Sequence, residues 1–131
     1  MLEANDSSSS KLLHEQTTSV IIGSAFEVHQ QLGYGYLERV YQRSLQVELI
    51  RRGVCVEIEK RLQVQYKGVV VGDYEADLLV DNCVIVEIKI APGYNKGDEA
   101  QLLNELKATG VKVGMLVNFG RYKVEYKRLV F

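Results

Sequence analysis

The chain has 131 residues, with 16 Lys and Arg against 17 Asp and Glu, and its formal net charge is -1. This length suits one domain, and 47% hydrophobic residues can build a core without disulfides or a structural metal. A single proline and 25% charged residues exclude a disordered or collagen-like chain. The balanced charge excludes a strongly basic protein that coats nucleic acid by charge alone, although it leaves room for a small local site.

The N-terminal segment and the apolar runs of the chain bear on its location. Residues 1–11 are polar and serine-rich, so we expect a disordered leader followed by a single domain over residues 12–131. The leader lacks the apolar segment of a signal peptide, and no apolar run approaches the ~18 residues that span a bilayer. The sequence therefore predicts a cytoplasmic protein with no membrane partner.

Hydrophobic periodicity and turn residues predict the elements in chain order. The predicted helices span residues 18–32, 37–52 and 98–109, and the predicted strands span 54–66, 69–80, 84–90, 111–118 and 122–131. The strand over 69–80 is expected to bend near Gly72, because glycine inside a strand marks a bulge or bend. The order ααβββαβ(β) predicts an α/β (α+β) fold with a mixed β-sheet flanked by helices.

The pattern of apolar and charged residues between Glu75 and Lys89 predicts a hairpin and its register. With a three-residue turn, one face is wholly apolar and pairs Val80 with Val84, Leu78 with Val86, and Ala76 with Ile88. The opposite face pairs Leu79 with Ile85, Asp77 with Glu87, and Glu75 with Lys89. A two-residue turn would mix charge into the core, so we expect the odd turn, with Asp77 and Glu87 as neighbours.

Two neighbouring carboxylates repel each other, which has a chemical consequence. The pKa of either Asp77 or Glu87 should rise unless a cation lies between them. Hard carboxylate oxygens suit Mg²⁺ or Mn²⁺ better than zinc. The pattern alone supports equally well a solvated charged face that Lys89 and Lys67 neutralise.

Several motifs together point to a known family. Asp77, followed after nine residues by Glu87-Ile88-Lys89, has the spacing of a D…(D/E)-x-K signature. Residues 35–41 read G-x-x-E-x-x-Y, and the further motifs are Ala25-Phe26-Glu27-Val28-His29, Ala76-Asp77-Leu78-Leu79-Val80, Ala100-Gln101-Leu102-Leu103-Asn104 and Asn118-Phe119-Gly120. From about His14 to the C-terminus, the chain resembles the GxxExxY family, a branch of the PD-(D/E)XK nuclease superfamily.

The resemblance implies a restriction-endonuclease-like core and a metal-dependent nuclease that hydrolyses phosphodiester bonds in DNA, or in RNA. The implied metal is Mg²⁺ or Mn²⁺, and its implied ligands are Glu38, Asp77, Glu87 and the backbone carbonyl of Ile88. Many nucleases of this fold cut both strands as dimers, so a homodimer is compatible with this function.

The resemblance also implies roles for two further side chains. Lys89 would contact the attacking water or the scissile phosphate, and Gln101 would be an accessory polar residue that faces the site from a helix. The implied catalytic set is Glu38, Asp77, Glu87, Lys89 and Gln101.

Two departures from the family pattern favour a second interpretation. Glu75 stands where many members have a basic residue, and Asp98 stands where many have histidine. The alternative is a non-catalytic module that retains the nuclease fold and binds nucleic acid or protein.

Aromatic and basic residues outside the implied catalytic set have more than one possible role. Tyr34 and Tyr36 could stack on bases, form a dimer contact or pack the loop between the first two helices. Basic residues near the C-terminus, namely Arg121, Lys123, Lys127 and Arg128, could bind phosphates or form a solvated face.

Overall fold

The computed structural model describes residues 13–131, and the predicted leader over residues 1–11 lies outside the described residues. Helices and strands follow one another in the predicted order, and their ends differ from the predicted ones by a few residues. The helices are α1 (Glu15–Leu32), α2 (Glu38–Arg51) and α3 (Gly97–Thr109); the strands are β1 (Val56–Tyr66), β2 (Val69–Val80), β3 (Val84–Lys89), β4 (Val113–Phe119) and β5 (Val124–Val130).

The strands of the described chain form one mixed sheet in the order β1-β2-β3-β4-β5. β3 and β4 are parallel and are joined through α3, whereas the other neighbouring strands are antiparallel. Every residue of β4 is buried, as expected for a central strand that is covered on both faces. The predicted mixed sheet flanked by helices is therefore confirmed.

The helices cover the two faces of this sheet unequally. α1 and α2 pack on one face and build the larger core, in which Leu45 and Leu49 contact residues of the central strands. α3 packs on the other face through Leu102 and Leu106. Among the described residues, no helix is both long and apolar enough to cross a bilayer.

The loop between α1 and α2 is fixed by a buried tyrosine. The Tyr41 hydroxyl donates to the carbonyl oxygen of Gly33 at 2.5 Å, and the ring of Tyr41 stacks on Phe119 with centroids 4.6 Å apart. Gly33 has φ of 73°, in the left-handed region that glycine adopts without a Cβ clash. These contacts hold the loop that leads into α2, whose first residue is Glu38.

The predicted hairpin register is confirmed next to the turn. Leu78 pairs with Val86, Leu79 with Ile85, and Val80 with Val84. The expected bend near Gly72 is also present, because the β1–β2 register shifts between Val64, which pairs with Gly72, and Gln65, which pairs with Val70.

The predicted pairing of Ala76 with Ile88 is wrong. Ala76 packs with Leu79 and Ile85 on the α3 face, whereas Ile88 belongs to the core beneath α1 and α2. Glu59 of β1 lies between the residues that pair with Ala76 and Leu78, and its φ is 52°, outside the extended region. The alternation of side chains along β2 is therefore interrupted opposite Glu59, at Asp77, and the residues before Asp77 change face.

Candidate active site

The candidate site lies where β2 and β3 approach α3 and the first residue of α2. Asp77 lies near the end of β2, Glu87 and Lys89 lie two residues apart on β3, and alternation gives these two the same face. Glu38 opens α2, where the helix dipole favours a carboxylate. Gln101 lies on α3 and lines a small cavity together with Glu87 and Lys89.

Side-chain hydrogen bonds replace the regular strand pairing at Asp77. Its carboxylate oxygen Oδ2 accepts the backbone N–H of Ile88 at 2.8 Å, and its own N–H donates to Glu87 Oε2 at 3.4 Å. On the other side, the buried Gln42 amide donates to the Asp77 carbonyl oxygen at 3.0 Å. The two acidic side chains are thus held side by side by groups of the neighbouring elements.

Glu87 is the most perturbed carboxylate of the site. Burial, followed by the charge of Asp77, raises the pKa of Glu87 from 4.5 to about 8. The Tyr74 hydroxyl donates a hydrogen bond to Glu87 Oε2, and this bond opposes the rise. The pKa of Glu87 thus shifts in the predicted direction, but burial contributes more to the shift than the charge of the neighbouring Asp77.

The other two acidic side chains respond to the same environment. Burial raises the pKa of Asp77, although the N–H of Ile88 and the charge of Lys89 oppose the shift. Burial and the charge of Asp77 also raise the pKa of Glu38, whereas the charge of Lys89 lowers it, so Glu38 lies within electrostatic reach of both residues. Within residues 13–131, no group of three or more His, Cys, Asp or Glu side chains is arranged to hold a metal ion.

Sequence reasoning missed Tyr74 and Glu105. The Tyr74 hydroxyl interacts with the carboxylates of both Glu87 and Glu105, and Glu105 Oε2 is a buried oxygen without a hydrogen-bond partner in the described residues. The signal for Glu105 was available, because it follows Gln101 by one helical turn and shares its face. Tyr74 had no such signal, because regular alternation would place it on the opposite face from Asp77.

A buried amide supports the segment that follows Lys89. Asn118 is 2% exposed, and its side chain accepts the N–H of Ala91 at 2.9 Å and donates to the Ala91 carbonyl at 3.0 Å. This double contact fixes the chain just beyond Lys89, where β3 has ended.

A sequence profile of the PD-(D/E)XK nuclease superfamily matches residues 15–129. The match covers most of the chain, so the protein belongs to this superfamily, and its mixed sheet flanked by helices is the restriction-endonuclease-like core. Nucleases of the superfamily generally use divalent metals, and membership supports a nuclease-type function with a nucleic acid substrate. No curated protein sequence matches the chain closely enough to count as a relative.

Two solved structures are distantly similar. The crystal structure of SSO0001 has 19% sequence identity and a TM-score of 0.48; the similarity covers 70% of this chain, which spans only 50% of the length of that protein. The structure of an alkaline exonuclease (LHK-Exo) from Laribacter hongkongensis has 13% identity and a TM-score of 0.39, and the similarity covers 89% of this chain and 81% of that one.

Proposed function

We propose that the protein is a metal-dependent nuclease of the GxxExxY type that hydrolyses phosphodiester bonds in DNA, with RNA as the alternative substrate. The observation that carries this proposal is the contact between Asp77 and Glu87 on adjacent strands, beside Lys89. Two carboxylates on neighbouring residues of a half-buried site are unfavourable when both are charged, and a divalent cation removes that conflict.

The residues fit such a cation by their chemistry. All atoms that could bind the cation are oxygens. Glu105 Oε2, which has no hydrogen-bond partner in the described residues, adds negative charge to the same cavity. Oxygen ligands and negative charge suit Mg²⁺ or Mn²⁺. Asp77, Glu87 and the carbonyl of Ile88 would hold the ion, with Glu38 completing the cluster. A bound divalent ion lowers the pKa of its water and offsets charge on a phosphate oxygen.

The other residues of the proposed catalytic set have separate roles. Lys89 places a positive charge beside the carboxylates, where it can bind a phosphate oxygen and stabilise the charge that develops during cleavage. Gln101 offers an amide that can orient water or phosphate from α3. Glu87 accepts the Tyr74 hydroxyl at Oε2, and its other carboxylate oxygen would remain available to the cation.

Cleavage assays with isosteric variants test the proposal. Plasmid DNA, linear duplex, single strands and RNA are incubated with Mg²⁺, Mn²⁺ or EDTA. Metal-dependent cleavage should fall at least about 100-fold in Glu87→Gln and in Lys89→Met. Glu57→Gln and Lys60→Met are matched controls, because these two residues form an exposed ion pair at 3.3 Å on β1. Cleavage that survives Glu87→Gln would refute the assignment of the site.

A non-catalytic nucleic-acid-binding module is the second candidate. Two acidic residues favour it: Asp98 lines the same cavity as Glu87 and Gln101, and the charge of Glu75 acts on Asp77, so both oppose the approach of a phosphate. Binding of DNA without cleavage under any metal condition would support this module and exclude the nuclease. In both cases we place the protein in the cytoplasm and propose a homodimer, which gel filtration with light scattering tests directly.

A further inference from the structure

Exposed aromatic and basic residues of the α1–α2 loop and of the β4–β5 turn lie outside the proposed catalytic set. We call these residues the tyrosine platform: Tyr34, Tyr36, Arg121, Tyr122 and Lys123. The three tyrosines are 36%, 48% and 85% exposed, in sequence order. The Arg121 guanidinium lies 5.8 Å from the centroid of the Tyr34 ring, so the α1–α2 loop and the β4–β5 turn meet here.

The platform rests on a fixed base. His29 donates from Nε2 to the Gly120 carbonyl at 2.7 Å, and the Gly120 N–H donates to the Lys123 carbonyl at 3.1 Å, which closes the β4–β5 turn. Tyr36 packs edge-on against the buried ring of Tyr41, with centroids 6.1 Å apart. The exposed rings are therefore presented by ordered backbone, which reduces the entropy lost when a ligand stacks on them.

Both segments of the platform, the α1–α2 loop and the β4–β5 turn, connect to residues next to the candidate site. Glu38 follows Tyr36 by two residues and lies within electrostatic reach of Asp77 and Lys89. Arg121 donates its backbone N–H to the carbonyl of Pro92 at 3.4 Å, and Pro92 follows Lys89 by three residues. Both segments of the platform are therefore close along the chain to residues of the candidate site.

We infer that the tyrosine platform binds unpaired bases of single-stranded DNA next to the site. Every base offers a face on which tyrosine can stack, whereas duplex bases are already stacked on one another. Arg121 and Lys123 supply charge complementary to the phosphates, which the chain as a whole, with a net charge of -1, does not. The choice of DNA as the ligand rests on the proposed nuclease function. If the platform binds unpaired bases, a single-stranded region is the preferred substrate.

Fluorescence anisotropy in EDTA tests the inference, because binding is then measured without cleavage. A labelled single strand should bind more tightly than the blunt duplex of the same sequence. Tyr122→Leu should weaken binding of the single strand by about fivefold or more, and Tyr122→Phe should restore it, because the ring and not the hydroxyl makes the contact. Arg121→Gln should reduce the dependence of log K on log salt concentration by about 0.7.

A matched control lies on the β1–β2 turn. Tyr66 is 62% exposed and has Lys67 5.4 Å from its ring centroid, so it repeats the aromatic–cation pair at the far end of β2 from Asp77. Tyr66→Leu should leave binding unchanged. Equal loss in Tyr66→Leu, no loss in Tyr122→Leu, or tighter binding of RNA than of DNA would overturn the inference.

The outcomes also separate the platform from the nuclease. Binding that depends on the tyrosine rings, without any cleavage, would refute the nuclease proposal and support the platform. Cleavage, together with binding that does not depend on the rings, would support the nuclease proposal and refute the platform. Tyr34→Leu is a second variant, and if it fails to fold, Tyr122→Leu decides the question because Tyr122 is largely exposed.

Discussion

Replacement of Glu87 by glutamine should make stability less dependent on pH. The pKa of Glu87 is about 8 in the folded chain and 4.5 as its reference value, so between these pH values only the folded state holds the proton. The metal-free protein should therefore lose stability as pH rises from 4.5 through 8, because the unfolded state binds fewer protons. Glutamine cannot ionise, so Glu87→Gln should lack this loss.

The size of the effect follows from the shift in the pKa of Glu87. A rise from 4.5 to about 8 corresponds to a limit of roughly 5 kcal/mol, because one pKa unit is about 1.36 kcal/mol. Glu87 is only partly buried, and solvent reaches part of its carboxyl, so we expect about half of this limit. Between pH 5.5 and pH 9, Glu87→Gln should gain about 2 kcal/mol relative to the wild type.

Urea unfolding in EDTA at pH 5.5, 7 and 9 measures this difference. Glu57→Gln is the control, because Glu57 is exposed on β1 and pairs with Lys60. The wild type should lose free energy of unfolding between pH 5.5 and pH 9 relative to Glu87→Gln, and Glu57→Gln should follow the wild type. If Glu87→Gln follows the wild type as well, Glu87 does not bind a proton in the folded chain and the reasoning fails.

Three further predictions concern neighbouring contacts. Tyr74→Phe should lower the free energy of unfolding by about 1.5–3 kcal/mol at pH 9, because it removes a hydrogen bond to a charged carboxylate, and by about 0.5–1.5 kcal/mol at pH 6. Equal losses at the two pH values in urea unfolding would contradict this. Asn118→Ala should cost about 2–4 kcal/mol by leaving both backbone groups of Ala91 unpaired, whereas the exposed Asn104→Ala should have little effect. At a Mn²⁺ concentration of 100 Kd, the wild type should gain about 2.7 kcal/mol, and Asp77→Asn should not; an equal gain in calorimetry would exclude Asp77 as a ligand.

The part of the hairpin next to the turn could be predicted because its apolar pattern allows one register. A one-residue slip would place Asp77 or Glu87 among the core side chains, and the pairing of Leu78, Leu79 and Val80 follows the prediction. The ladder ends there, because side chains of the site take over the backbone hydrogen bonds. Local pattern predicts a strand well only where backbone pairing continues.

The face that Ala76 and Tyr74 occupy could not be predicted. It depends on the left-handed conformation of Glu59 on the neighbouring strand, and a glutamate gives no sign of positive φ. The contact of Tyr74 with Glu105 depends in turn on how α3 packs across the sheet, which is a long-range property. The motif residues could be predicted from their spacing, but the hydrogen bond from Tyr74 to Glu87 could not.

The amide contact of Asn118 with Ala91 has a consequence for biosynthesis. Every residue of the proposed catalytic set is translated before residue 102, whereas β3 gains its parallel neighbour only when Val113–Phe119 has been made. A nascent chain therefore carries these side chains before the segment after Lys89 is fixed. Under the proposed nuclease function, we expect cleavage to require β4, which is one of the last strands of the sheet to be translated.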